Sequence, residues 1–381
     1  MVTVAFTGGG TGGHIYPGLA VAEELKKRFP EGECRIFWIG PGAGRDRSIV
    51  EGAGLEFFGV PAGRLRRYFT LKTLPDGFKV IAGFFASRGI LKKQKADLLF
   101  SKGGFASVPP CAAAASLGIP VFTHESDFSP GLATRLNLRF VRRTGGTVFV
   151  SYGDTIRLLP VKGGDAFLER VTVSGNPVRP VFRRADPAAG RAFLGIGPDE
   201  RILLVLGGSQ GAREINLLTC AALGELLRHY TVVHQTGPGR EAETEAPSPE
   251  TGRYIPVPYI NDEMPHVLAA AELVVGRSGA GTLWECASLG RPMILIPLCG
   301  SGTRGDQVEN AAFFEREGAA LVLTGAGANP ENLSLAVNAV AEDPPRREAM
   351  AKAAYRIGSL DGAPIIGDSI SMFVKTKLLT G

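Results

Sequence analysis

Apolar positions along the chain fall into short β-branched runs, separated by stretches in which apolar residues recur every three or four positions. Residues 2–7, 34–39, 98–100, 120–123, 147–150 and 171–173 read as strands, and most lead into a helical pattern. That alternation predicts βαβ units in a parallel sheet. The series restarts at 202–206 and continues through 230–235, 253–257, 273–275, 293–296 and 320–323. RILLVLGGSQGA repeats the opening order of strand, glycine-rich loop and helix found in VTVAFTGGGTGGH. Two α/β domains of one plan are implied, each a doubly wound parallel sheet. One covers 1–175 and the other 176–362, with the seam in SGNPVRP at 174–180, where two prolines and a glycine interrupt regular structure. Residues 365–379 carry helical spacing, so a last helix at about 363–381 is expected to pack back on the first domain.

Composition narrows the class. With 381 residues, 44% hydrophobic and 21% charged, the chain can bury sizeable cores and is not expected to be disordered. No run approaches the ~18 apolar residues of a membrane span, and the N-terminus lacks the basic-then-apolar order of an export signal. A cytoplasmic protein is expected. The five cysteines are scattered without a C-x-x-C pair, so they read as small buried hydrophobes rather than disulfides or zinc ligands. The net charge of +5 is uneven: nine Lys and Arg lie between positions 61 and 95 against one acid, Asp76. That segment calls for an anionic partner.

Five of the six residues from Gly8 to Gly13 are glycine, and each costs about 0.5–1 kcal/mol relative to alanine where ordinary backbone would serve. After a strand, such a loop lets backbone N–H groups converge on an anion while the next helix offers its positive end. Pro17 suits the first turn of that helix. A P-loop would need Lys and Ser/Thr where His14 and Ile15 stand, and a dinucleotide site would need an acid where the second strand ends in Ile39-Gly40-Pro41. Both readings fail. His14 is then either a loop cap or a base near neutrality beside a bound phosphate.

Further polar clusters follow other strands. Ser101-Lys-Gly-Gly-Phe-Ala-Ser107 is a second glycine loop, and Thr123-His124-Glu125-Ser126-Asp127 gathers ionisable side chains. In an open parallel sheet these carboxyl ends line the ligand crevice. In the second domain, Gly207-Gly208-Ser209-Gln210-Gly211 repeats the anion-binding design, and Gly276-Arg277-Ser278-Gly279-Ala280-Gly281-Thr282 opens another helix. Two helix starts and a guanidinium could share one diphosphate. Glu285 has capping-box spacing from Thr282, which is one role for it; the other is to accept both ribose hydroxyls of a nucleotide.

GGTGGHIYPGLAVA, KGGFAS, SLGIPVFTHES, SGNPVR, GGSQGA, HQTG, PYIND, RSGAGTLWE and Gln307-x-x-Asn310-Ala311 occur in this order over nearly the whole chain. Together they resemble the bacterial UDP-N-acetylglucosamine:lipid I N-acetylglucosaminyltransferases, the MurG family, of GT-B architecture. The resemblance implies an inverting transfer of N-acetylglucosamine from UDP to the 4-hydroxyl of N-acetylmuramoyl-pentapeptide on undecaprenyl diphosphate, in peptidoglycan synthesis. It assigns Arg179, Ser209, Gln210, Arg277, Ala280, Gly281 and Thr282 to the donor phosphates and linker. Ile260 would meet uracil, Glu285 the ribose and Gln307 the sugar hydroxyls. Gly12–His14, Gly103, Gly104 and Ser107 would take the acceptor diphosphate, with Thr11, Gly12, Gly13 and Asp127 near the donor sugar or acceptor. His14, ahead of Glu125, would be the base. No metal or cofactor is required by this scheme, and no D-x-D pair stands at a suitable strand end.

Where the family usually has His-Glu-Gln-Asn this chain has His124-Glu125-Ser126-Asp127, and Asp306 replaces a common glutamine before Gln307. A carboxylate only accepts hydrogen bonds whereas an amide also donates, so contacts to the donor sugar differ. A glycolipid transferase, a sugar-nucleotide epimerase and a non-catalytic sugar-nucleotide-binding subunit are the alternative readings. A lipid-linked acceptor also accounts for the basic segment, where Phe69, Leu71, Phe78, Phe84 and Phe85 mix with Lys72 and Lys79, as in helices that lie on anionic lipid. Peripheral attachment at the cytoplasmic face of the inner membrane is the expectation; core residues beside a solvated face are the alternative. No nucleic-acid module accompanies the charge.

Overall fold

The computed structural model describes residues 1–10, 12–42, 44–63, 73–161, 165–208, 211–240, 253–300 and 304–380, with backbone alone at 73–75 and 378–380. Thr11, Phe69, Leu71, Lys72, Ser209 and Gln210 lie outside the described residues. Two compact units are present, Met1–Arg179 with Asp361–Gly381, and Pro180–Leu360.

The first unit is built on β1 (Val2–Thr7), β2 (Cys34–Pro41), β3 (Glu56–Val60), β4 (Leu98–Ser101), β5 (Val121–Glu125), β6 (Val148–Val150) and β7 (Val171–Val173). Their order is β3-β2-β1-β4-β5-β6-β7, all pairs parallel. Strand β3 is absent from the hydrophobic pattern because only Phe57 and Val60 of EFFGV are fully buried on this outer strand. Alternation along β1 sends Val2, Val4 and Phe6 to one core and Ala5 to the other, so both sheet faces are covered.

The first of these cores is completed by the helix Gly362–Thr380, which contributes Ala363, Ile366, Ile370 and Val374. Each buried aliphatic side chain of this size contributes about 1.5–3 kcal/mol. The same helix is pinned to Arg28, whose Nε donates to Asp368 at 2.6 Å.

The helix after the first glycine loop spans Gly12–Lys26, so Pro17 is its sixth residue and not part of its first turn. A proline there withholds the N–H that would otherwise bond the Gly13 carbonyl. Beneath it, Gly18 makes room for Trp38, since a Cβ would lie 2.5 Å from the indole Cη2. Trp38 Nε1 donates to the Gly8 carbonyl at 3.0 Å. The largest buried side chain of the first core thereby fixes the loop.

The second unit carries β8 (Ile202–Leu206), β9 (Thr231–Gln235), β10 (Tyr254–Val257), β11 (Leu273–Gly276), β12 (Met293–Leu295) and β13 (Ala320–Val322). Their order is β10-β9-β8-β11-β12-β13, again all parallel. In both sheets the order reverses once, between β1 and β4 and between β8 and β11. A doubly wound sheet binds ligands beyond the carboxyl ends at that point, and the glycine loops stand there in both units.

Candidate functional site

In the first unit the loops after β1 and β4 interlock. Gly104 has φ +75°, and a Cβ on it would sit 2.8 Å from His14 Cδ2. Gly10, at φ +89°, faces Phe105, and a Cβ on it would lie only 2.7 Å from the ring carbon Cε1. Bare backbone is required because each loop presses on the other's side chain. Gly10 N–H also donates to Asp46 Oδ2 at 2.7 Å. His14 is half-buried at the start of its helix, two residues before Tyr16, and Arg179 lies over the Tyr16 ring at 4.7 Å. Arg179, assigned from sequence to the donor phosphates, is thus packed within the first unit.

Glu125 closes β5 with both carboxylate oxygens engaged. Oε1 accepts from Asp127 N–H at 3.0 Å and Oε2 from Gly131 N–H at 2.9 Å. The carboxylate holds the turn that follows, while Asp127 stays half-buried at its edge. His124 is fully buried and donates from Nε2 to the Gly175 carbonyl at 3.0 Å. Burial, with Lys102 close by, pushes its pKa well down, so it is neutral. Ser107 is buried, its hydroxyl donating to Gly104 O at 2.8 Å and accepting from Asn137 Nδ2 at 2.9 Å. Ser107 therefore shapes the loop from within, and Gly103 is buried with its N–H donating to Ser101 Oγ at 3.2 Å, which leaves Gly104 as the half-exposed backbone of the loop.

Lys102 is a residue the sequence reading passed over. Its side chain is 1% exposed and its ammonium donates to Ser126 Oγ. Burial lowers its pKa to about 8 against the opposing attraction of Glu125 and Asp127. The available signal was a lysine directly after the apolar run LLFS of a central strand.

In the second unit, Gly207 and Gly208 follow β8, and Gly211, at φ +70°, lies so close to β9 that a Cβ would meet Thr236 O at 2.2 Å. The helix Ala280–Ser288 starts after Gly279, which is its N-cap without a side-chain bond. Thr282 is therefore inside the first turn and Glu285 in the second, which removes the capping-box role for this pair. The N–H groups of Ala280, Gly281 and Thr282 have no acceptor within their helix. Arg277 donates to Ile296 O at 3.1 Å and pairs with Glu214 at 2.6 Å.

The neighbouring contacts define what each group has left to offer. Ile260 N–H donates to Gln235 Oε1 at 2.9 Å, so its carbonyl is the group left for a base. Gln307 Oε1 accepts from Leu298 N–H at 3.0 Å, which turns the amide NH2 outward as a donor. Ser278 Oγ donates to Gln307 O at 2.7 Å, tying the two loops together. Asp306 is paired with Arg304 at 3.0 Å.

Along the helix Thr73–Lys93, Phe78, Ile81 and Phe85 are exposed by 73%, 56% and 64%. They form one stripe at helical spacing, with Lys79 exposed beside it. Phe84 departs from the expected membrane set: it is half-buried and packs on the core of the first unit. A position one residue from Phe85 is rotated about 100° round the helix, which turns it inward. Among the described residues no helix is long and apolar enough to cross a membrane.

Two Rossmann-like units, each with a glycine loop at its switch point, define a GT-B sugar-nucleotide enzyme. Models of the glycosyltransferase family 28 N-terminal and C-terminal domains match residues 4–145 and 202–363, and the chain belongs to that family. It is 45% identical over 99% of both chains to the UDP-N-acetylglucosamine--N-acetylmuramyl-(pentapeptide) pyrophosphoryl-undecaprenol N-acetylglucosamine transferase of Treponema denticola. The protein of the same name from Treponema pallidum is 43% identical, covering 98% of this chain and 96% of its own. Among solved structures, Acinetobacter baumannii MurG aligns with a TM-score of 0.72 at 22% identity over 99% of this chain and 100% of its own. A UDP-GlcNAc 2-epimerase from Neisseria meningitidis aligns at 0.64 with 14% identity, covering 100% of both, a likeness of fold alone.

Proposed function

We propose that this chain is an inverting glycosyltransferase moving N-acetylglucosamine from UDP-N-acetylglucosamine to the 4-hydroxyl of N-acetylmuramoyl-pentapeptide on undecaprenyl diphosphate. The observation that carries the reading is end-to-end identity of 45% to a relative named for this transfer. The first unit is the acceptor half, with Gly12, Gly13 and Gly104 offering backbone to the acceptor diphosphate, while the Gly103 N–H is engaged by Ser101.

The second unit is the donor half. The N–H groups of Ala280–Thr282, with Arg277, Ser209 and Gln210, receive the diphosphate; the Ile260 carbonyl receives uracil, and Glu285 the ribose hydroxyls. Gln307 donates to a sugar hydroxyl through its free NH2, and the Arg304 pair accounts for a carboxylate at 306. In the chemical step the 4-hydroxyl oxygen bonds to the anomeric carbon as the bond from that carbon to the UDP oxygen breaks. His14 takes the hydroxyl proton, and the charge released on UDP falls on fixed amides and a guanidinium, an arrangement that needs no reorganisation. Glu125, whose oxygens hold Asp127 and Gly131 N–H, fits a positioning role better than that of base.

UDP release followed with a panel of sugar nucleotides and a lipid I analogue tests the reading. Release is expected only with UDP-N-acetylglucosamine and acceptor together. Epimerisation of the donor without acceptor, or tight UDP binding without turnover, overturns it.

The exposed stripe Phe78, Ile81 and Phe85 beside Lys79 supports peripheral attachment to the anionic cytoplasmic face of the inner membrane. Shallow insertion plus about 1 kcal/mol per basic residue makes this binding salt-sensitive. Changing the three apolar residues to serine should release the protein from phosphatidylglycerol vesicles while turnover of a short-chain soluble acceptor persists. Equal sedimentation of variant and wild type rejects the surface.

A further inference from the structure

Among the described residues Lys102 is the only lysine or arginine that is buried. Burying an ammonium costs several kcal/mol, and an apolar side chain of similar volume commonly fills such a place at no loss of stability. The charge therefore has a use. Its surroundings are specific: the ammonium donates to Ser126 Oγ, and the carboxylates of Glu125 and Asp127 are its charged neighbours. Neutral His124 is the remaining titratable group facing it. Lys102 also sits at the base of the Gly103-Gly104 turn, with its Cβ near Gly8, so it joins the loops after β1, β4 and β5.

Ser126 and Asp127 are two of the positions where this chain departs from the residues usual in the MurG family. Two carboxylates beside a loop that receives a diphosphate would repel it. An ammonium between them offsets that repulsion. A hydroxyl accepting from an ammonium has its own O–H left to donate elsewhere. We propose that Lys102 is a positioning residue for the acceptor diphosphate, neutralising Glu125 and Asp127 and orienting the Ser126 hydroxyl as a donor to a phosphate oxygen. This rests on the first unit being the acceptor half.

The test is the Michaelis constant of each substrate and the affinity for inorganic pyrophosphate, in wild type and Lys102→Met, from pH 7 to 9. Loss of a charge-assisted hydrogen bond predicts acceptor KM and pyrophosphate Kd raised about 10- to 100-fold at pH 7, with donor KM unchanged. In wild type both should weaken as pH rises through about 8, where Lys102 loses its proton; in the variant that step should vanish. A lysine that only supports the loop would leave acceptor KM and pyrophosphate Kd level over this range, whereas stability itself changes with pH in either case. Because its folded pKa lies below its unfolded value near 10.4, stability is gained as pH rises from 8 and is lost as pH falls through 8.

A folded Lys102→Met protein with wild-type acceptor KM, or one that retains the pH step, overturns the proposal. Should the variant not fold, the wild-type pyrophosphate profile decides: flat binding from pH 7 to 9 overturns it. Pyrophosphate binding needs no turnover, so absence of transfer with every donor would defeat the transferase reading without touching this result.

Discussion

The two units share a plan yet differ in what they place at the carboxyl ends of their strands. In the first, Lys102, His124 and Glu125 are buried titratable groups and His14 stands half-buried beside them. In the second, the groups at the corresponding place are, among the described residues, backbone N–H donors, the amides of Gln235 and Gln307, an Arg277–Glu214 pair and a single buried titratable group, His234, whose ring is bonded to Asn216 and Tyr254. Groups that exchange protons suit a half that deprotonates a hydroxyl. Fixed dipoles suit a half that holds a leaving group whose charge only grows. One scaffold thus serves two kinds of chemistry through its loops.

The contrast breaks most visibly at His14. Replacing it by alanine should lower kcat about 10²- to 10⁴-fold with donor KM unchanged. Steady-state rates near wild type would remove the proton-transfer role from the first unit.

The glycine contacts sharpen the same division. Gly104→Ala forces a Cβ to within 2.8 Å of His14 Cδ2 at φ +75°, and displacing a reacting group by about 1 Å can cost about 100-fold in kcat. Gly211→Ala drives a Cβ against Thr236 O in the second unit and should raise donor KM instead. Both variants showing the same kinetic defect would deny the units separate tasks.

Glu285→Gln keeps the shape and loses charge-assisted hydrogen bonds of about 1.5–3 kcal/mol each, so donor KM should rise about 10- to 100-fold. Calorimetry with UDP and 2′-deoxy-UDP is the check. The variant should discriminate less between them, and undiminished discrimination defeats the ribose role.

The smallest effect is on acid stability of the second unit. His234 is held neutral, donating from Nε2 to Asn216 Oδ1 at 3.1 Å and accepting from Tyr254 OH at Nδ1 at 3.0 Å. Burial lowers its pKa to about 4 from 6.5. The unfolded chain therefore binds the proton first, and this contribution, full above pH 6.5, is lost as pH falls toward 4. Between pH 7 and 5.5 the loss is roughly 1 kcal/mol, a few degrees in Tm. A His234→Gln protein should show a shallower acid limb in thermal melts; an identical limb would mean the group is not the source.

Local order by itself determined the two parallel sheets, the glycine loops at their strand ends and the family, because strand period, loop glycines and motif order are properties of neighbouring residues. Strand β3 escaped because an outer strand with Glu56 and Gly59 exposed has no continuous apolar run to read. Pro17 was placed in the first turn but is the sixth residue of its helix, because glycines at 12 and 13, read as loop, already belong to the helix. Tertiary structure alone decided which side chains are used up inside the protein. Ser107 and Glu125 are polar in sequence, yet their hydrogen bonds close their own loops. Phe84 and Phe85 are identical neighbours, yet one packs on the core while the other is 64% exposed. Lys102 drew no reading of its own within the second glycine loop, and only the convergence of β4 and β5 shows it enclosed against Ser126. The physical reason is range: a sequence pattern fixes what neighbours along the chain do, whereas burial and hydrogen-bond satisfaction depend on residues brought together from far apart in it.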